Sequence, residues 1–205
     1  MPMAMGWRNR GRMLRAAGLL CAALLAGCAG MPPAAGPASP SRHVLESFLL
    51  EGRFSLRQDA QNHAGRLNWR HTADGDELLL ASPFGQGIAE IVATPGQATL
   101  TTSDGKIFAA PDVPSLTEQV LGYRLPLQRL ADWVRGHAAG AEVAARDALG
   151  RPLELRHEDW RIEYGYDGDD PAALPARLFA ERSGAFELRL RIDGWSALQV
   201  QEESP

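Results

Sequence analysis

The chain has 205 residues, 45% of them hydrophobic and 22% charged, with a formal net charge of −4. That length is ample for one domain with its own core. An acidic chain without a run of basic residues excludes nucleic acid as a natural partner and argues against electrostatic docking on anionic lipid.

Residues 1–27 read as a lipoprotein signal peptide. Arg8, Arg10, Arg12 and Arg15 give a cationic start, and an apolar run over residues 16–26 follows. That run is too short to span a bilayer and has the length of a signal-peptide core. It closes on Leu25-Ala26-Gly27-Cys28, small residues before a thiol that a lipoprotein signal peptidase leaves free for diacylglycerol. Cys28 is therefore the expected lipid-attachment site and the first residue of the mature chain. Loss of the four arginines leaves 17 basic against 25 acidic residues, a mature charge of −8. Cys21 departs with the signal and Cys28 becomes a thioether, so no disulfide is expected. No second apolar run approaches the ~18 residues of a transmembrane helix, which leaves the lipid as the expected anchor.

Residues 28–41 form the expected acylated N-terminus and a small, Pro-rich tether (AGMPPAAGPASP) that extends to on the order of 35–40 Å. Ala29 follows the cysteine in place of the Asp associated with inner-membrane retention, which points to the outer membrane. One domain is expected over 42–200, with a polar tail at 201–205. A short helical turn over 41–47 precedes the first predicted strand.

From there the period is two. Phe48, Leu50, Gly52, Phe54 and Leu56 alternate with polar or charged neighbours apart from Leu49, and Gly65, Leu67, Trp69 and His71 do the same. Further strands are predicted over 77–81, 88–94, 97–103 and 106–109, the last two joined by an Asp104-Gly105 turn. Later runs alternate at Leu153, Leu155 and His157, at Trp160, Ile162, Tyr164 and Tyr166, and at Phe186, Leu188, Leu190 and Ile192. Two more strands are placed in 142–148 and 176–182, and Trp195 just past a strand end. Such alternation predicts an antiparallel sheet with one wet and one dry face. Only the middle reads as helix. Ser115-Leu116-Thr117-Glu118 has a capping-box pattern before a stop near Gly122; Pro126 opens a second helix in which Leu127, Leu130, Trp133 and Val134 share a face, and Gly136 ends it. Two or three short helices cannot cover nine or more strands. Either the sheet curls around a greasy space, or it closes on itself as a sandwich.

Between two apolar strands lies Ala81-Ser82-Pro83-Phe84-Gly85-Gln86-Gly87. Pro83 and Gly85 place a surface turn, where Phe84 either folds back on the sheet or stands as a wedge for a bilayer or an apolar partner. No phosphate loop, nucleophile elbow or metal-ligand spacing is present, and the five histidines (His43, His63, His71, His137, His157) are scattered. No catalytic residue, metal or cofactor is expected. Trp69, Trp133 and Trp160 stand in apolar register; each suits core filling, and with Tyr164 and Tyr166 they also suit a cavity for a flexible ligand.

Taken in order, Leu50-Glu51-Gly52-Arg53-Phe54, Leu67-Asn68-Trp69, Ser82-Pro83-Phe84-Gly85, Gly122-Tyr123-Arg124-Leu125-Pro126, Trp133-Val134-Arg135-Gly136, Leu174-Pro175 and Leu190-Arg191-Ile192-Asp193-Gly194-Trp195 resemble the LolB family of outer-membrane lipoprotein receptors. The resemblance runs from about Phe48 to Trp195. It implies a mainly β fold, an incomplete, unclosed antiparallel barrel of about eleven strands, with a lid of short helices over an apolar acyl-chain cavity. Expected cavity residues are Phe54, Leu67, Trp69, Leu80, Leu130, Trp133, Trp160, Ile162, Tyr164 and Leu190. Pro83, Phe84 and Gly85 take the place of the family's membrane-insertion loop, with Phe84 where the family typically has Leu. The implied partners are a LolA-like periplasmic carrier, acylated lipoprotein cargo and the outer membrane, for a monomer that uses no nucleotide. The rival reading is an assembly lipoprotein that binds another envelope protein.

Overall fold

A computed structural model describes residues 41, 45–184 and 186–198. The signal peptide, Cys28, the tether up to residue 40, residues 42–44 of the expected helical turn and the polar tail lie outside these residues. The chain divides into two compact units, Met1–Ala38 and Ser39–Pro205, and every element described belongs to the second. Among the described residues, the buried core lies within that second unit.

Eleven strands and two helices follow one another: β1 (Phe48–Gln58), β2 (Gln61–Thr72), β3 (Gly75–Ala81), β4 (Gly87–Thr94), β5 (Gln97–Thr102), β6 (Ile107–Ala110), α1 (Val113–Leu121), α2 (Leu127–Val134), β7 (Glu142–Arg146), β8 (Pro152–His157), β9 (Trp160–Gly165), β10 (Arg177–Arg182) and β11 (Phe186–Ala197). They form a single sheet in the order β6-β5-β4-β3-β2-β1-β11-β10-β9-β8-β7, and each pairing is antiparallel. β6 and β7 are the two free edges, so the sheet is an unclosed barrel and not a sandwich. Laid flat, eleven strands would be roughly 48 Å across, and each helix is only about 12–14 Å long. Yet the inward residues from β1 to β11 and both helices form one buried cluster. The sheet therefore curls around the helices, as the twist of antiparallel strands requires.

Alternation decides which side faces in. Phe48 and Leu50 on β1, Leu67 and Trp69 on β2, Trp160, Ile162 and Tyr164 on β9, and Phe186 to Ile192 at every second position on β11 are buried, while their neighbours are wet. α1 packs over β5 and β6. In α2 the buried residues Leu127, Leu130, Ala131, Trp133 and Val134 make one apolar stripe.

Local details depart from the sequence reading at four places. α1 begins at Val113, because the carboxylate of Asp112 accepts the Ser115 N–H at 2.7 Å; Asp112, not Ser115, is the cap. β2 starts at Gln61, ahead of the apolar pattern, since a two-residue turn pairs Gln58 with Gln61 and carries polar residues into the ladder. Trp195 lies inside β11 opposite Leu50, beyond a bulge at Glu51/Gly52 that resets the register. Residues 46–47 form a bend and not a helical turn.

Candidate functional site

Aromatic rings fill one end of the interior. Trp133 on α2 lies 5.5 Å from Trp160 on β9, which meets Phe186 of β11 edge-on at 5.6 Å. Tyr123, between the helices, stacks on Phe186 at 4.6 Å, and the Arg182 guanidinium donates to its hydroxyl at 3.1 Å. Burial raises the Tyr123 pKa above the usual phenol value. Across the sheet, the Trp69 indole N–H donates to Asp76 Oδ1 at 2.7 Å, and His71 Nδ1 lies 2.7 Å from the same oxygen. Asp76 is buried, and these two contacts satisfy it. His71 and His157 are thus sheet residues, the latter beside Trp133.

Eight of the ten residues expected to line a cavity belong to this closed region. Leu67, Trp69, Leu130, Trp133, Trp160, Ile162, Tyr164 and Leu190 are all buried and packed into one core. Burial also raises the Tyr164 pKa, and its hydroxyl has no hydrogen-bond partner among the described residues.

The other two, Phe54 and Leu80, are only partly buried, although the register sets them opposite the buried Leu190 and Leu67. With Leu56, Ala89, Phe108 and Val120 they are inward-facing or lid apolar residues that remain only partly buried. The register explains their proximity: Phe54 pairs with Gly65 and Leu80 with Leu67 and Ala89. A Cβ on Gly65 would stand 2.2 Å from the Ala81 carbonyl oxygen and 3.0 Å from Phe54 Cε1, so only glycine lets the Phe54 ring settle there. The Gln58 amide donates to the Leu121 carbonyl at 2.9 Å, bringing the end of α1 to the end of β1.

The hairpin loop of residues 82–86 projects from the same end. The Ser82 N–H donates to the Gln86 carbonyl at 2.7 Å, and the Gly85 N–H to the Ser82 carbonyl at 2.9 Å. Gly85 has φ +88°, which this tight closure needs. Closed on itself, the loop holds Phe84 outward at 95% exposure. Phe84 does not fold back on the sheet.

A separate cleft of about 540 Å³ lies between the turns at 72–76 and 94–97 and the first turns of both helices. His71, Asp76, Asp112 and Leu127 border it, and none of the ten expected lining residues does. Among the described residues, no group of three or more His, Cys, Asp or Glu is placed to hold a metal, and no helix is long and apolar enough to cross a membrane.

An unclosed antiparallel barrel with an apolar interior, two short helices packed inside its curl and an exposed aromatic hairpin tip, defines a class of lid-covered β proteins. The family model for "Outer membrane lipoprotein LolB" matches residues 46–195. The outer-membrane lipoprotein LolB of Dechloromonas aromatica (strain RCB) is 43% identical over 187 residues, covering 89% of this chain and 97% of that protein. That of Azoarcus sp. (strain BH72) is 38% identical over 190 residues, covering 92% and 97%. Among solved structures, a LolA superfamily protein from Nitrosomonas europaea aligns with a TM-score of 0.47 and 10% identity, over 77% of this chain and 88% of its own. The chain belongs to the LolB family of outer-membrane lipoproteins. Its place is lipid-anchored at the outer membrane, in lipoprotein localisation and not in catalysis.

Proposed function

We propose that this domain receives the acyl chains of lipoproteins from a LolA-like periplasmic carrier and delivers them into the outer membrane without nucleotide hydrolysis. One observation carries the reading: the half-buried apolar residues Phe54 and Leu80 lie beside the hairpin that holds Phe84 in solvent. Each methylene moved from water is worth about 0.8 kcal/mol, so a chain of about fifteen carries on the order of 12 kcal/mol and must stay covered in transit. Without an energy source, transfer runs downhill: the receptor must suit acyl chains better than the carrier does, and the bilayer better still. Apolar contacts fit this, being non-directional and adaptable.

Pro83, Phe84 and Gly85 form the delivery end in this account, and Cys28 the separate anchor. The test is a transfer assay with a purified acylated lipoprotein and its carrier, read by mass spectrometry of the material bound to the receptor. Lipoprotein passes to the receptor and then to liposomes. Phe84→Glu leaves uptake intact and stops insertion, and a Cys28→Ala chain still takes up cargo. A stable complex with another envelope protein that forms equally well without acyl chains would instead favour an assembly role.

A further inference from the structure

The sequence has no basic cluster, but the strand register builds one. Arg66 on β2 lies opposite Arg53 on β1, Arg53 opposite Arg191 on β11, and Arg191 opposite Arg177 on β10. Four arginines thus cross four adjacent strands in one row on the outer face, spanning roughly 14 Å at ~4.8 Å per strand. Like charges placed directly opposite destabilise a sheet, so folding does not favour such a row. Among the described residues only two carboxylates are bonded to it: Asp193 accepts from Arg53 at 2.7 Å, and Asp167 accepts from Arg191 at 2.8 Å and Arg177 at 2.9 Å. The hydrogen bond from Arg53, then the charges of Arg53, Arg191 and Arg66, hold the Asp193 carboxyl below the usual range, so several cations share one anion. Arg66 and Arg70 are exposed and have no hydrogen bond or ion pair among the described residues.

The row ends beside the wedge. Arg66 is opposite Ala81, the last residue of β3 before the loop that carries Phe84. The outer face of the same hairpin also leaves Leu79, Ile88 and Val92 exposed, with Glu77 and Glu90 half-buried among them. Arg70 stands opposite that Glu77.

We infer that Arg66, continued by Arg53, Arg191 and Arg177, binds the phosphates of anionic phospholipid head groups and turns the Phe84 hairpin toward the bilayer. This deepens the delivery reading above and rests on it for its purpose. An acyl anchor on a long tether keeps the domain near the membrane without orienting it. An apolar tip flanked by guanidiniums does orient it, since the tip seeks hydrocarbon and the arginines seek the head groups just above. Continuity with Phe84 favours the membrane over an acidic protein as the occupant.

The test is sedimentation of the Cys28→Ala chain, which cannot carry the acyl anchor, with vesicles of phosphatidylethanolamine and phosphatidylglycerol (70:30) and with vesicles of phosphatidylcholine alone. Arg66→Gln weakens binding to the anionic vesicles about fivefold, as expected for one arginine at such a surface, and leaves binding to neutral vesicles unchanged. The melting temperature does not fall, because the substitution removes a like-charge opposition. Arg129→Gln, an equal loss of charge on α2, has no such effect. Phe84→Glu weakens binding to both kinds of vesicle. A wild-type result for Arg66→Gln on anionic vesicles, or an equal loss with Arg129→Gln, overturns the inference. So does loss of carrier binding by Arg66→Gln with vesicle binding intact, which would assign the row to an acidic protein. Wild-type binding by Phe84→Glu overturns the wedge and leaves the arginine row standing.

Discussion

The two halves of the sheet use the same alternation for different ends. β8 to β11, with α2, enclose Trp133, Trp160, Tyr164 and Phe186, large rigid side chains that leave little freedom once packed. β3 to β6, with α1, present Leu78, Leu80, Ala89, Ile91, Ala93, Ala98 and Leu100, mostly smaller aliphatic groups beside the one ring of Phe108, of which several stay partly buried. A core built from rings resists change because its packing is dense. The half with fewer rings and more partly buried residues is the one that adjoins Phe84.

The largest effect distinguishing the halves is on stability. Trp133→Ala removes a fully buried indole from contact with Trp160 and His157 and should cost about 3–5 kcal/mol by urea unfolding. Leu80→Ala, at a partly buried position, should cost clearly less. A smaller loss, about 1–3 kcal/mol, is expected for Asp76→Ala, which leaves the buried Trp69 N–H without its acceptor. The same change should shift near-ultraviolet circular dichroism.

The helices separate by pH. Hydrogen bonds from Ser115 hold the Asp112 carboxyl below its ordinary value. A lowered folded-state pKa means that the unfolded chain binds the proton first, so the cap's contribution is complete above the unfolded value near 3.9 and is lost as pH falls through the folded one. Amide exchange in the first turn of α1 should therefore quicken, relative to its intrinsic rate, below about pH 4. α2 starts at Pro126 without a side-chain cap and should show no such step. The smallest stability effect belongs to Phe84→Glu, within about 0.5 kcal/mol of wild type, because the side chain packs on little.

Much of this was legible before the structure, for physical reasons that differ by element. Alternation at Phe48–Gln58 and Phe186–Ala197 declares a one-sided sheet, and Pro83 with Gly85 declares the turn that exposes Phe84. The cap of α1 was misplaced because Ser115 and Glu118 have the right spacing, while Asp112 three residues earlier has the geometry. Trp195 was set outside its strand because Gly194 and the bulge break the pattern at the point where pairing resumes. What alternation cannot tell is which inward residues are sealed and which are open. Trp69 and Leu80 read alike in sequence, and only the curl of the sheet separates them. The arginine row was invisible for the same reason: Arg53, Arg66, Arg177 and Arg191 are far apart in the chain and meet only through register.

The most direct test of the central claim is methyl NMR of the domain bound to an acylated lipoprotein whose fatty chain carries a nitroxide. Acyl chains entering at the hairpin end should broaden Leu56 and Leu80 strongly while leaving Leu155 and Val143, on β8 and β7, much sharper. Broadening confined to Leu155 and Val143, or none at either place with cargo bound, would contradict it.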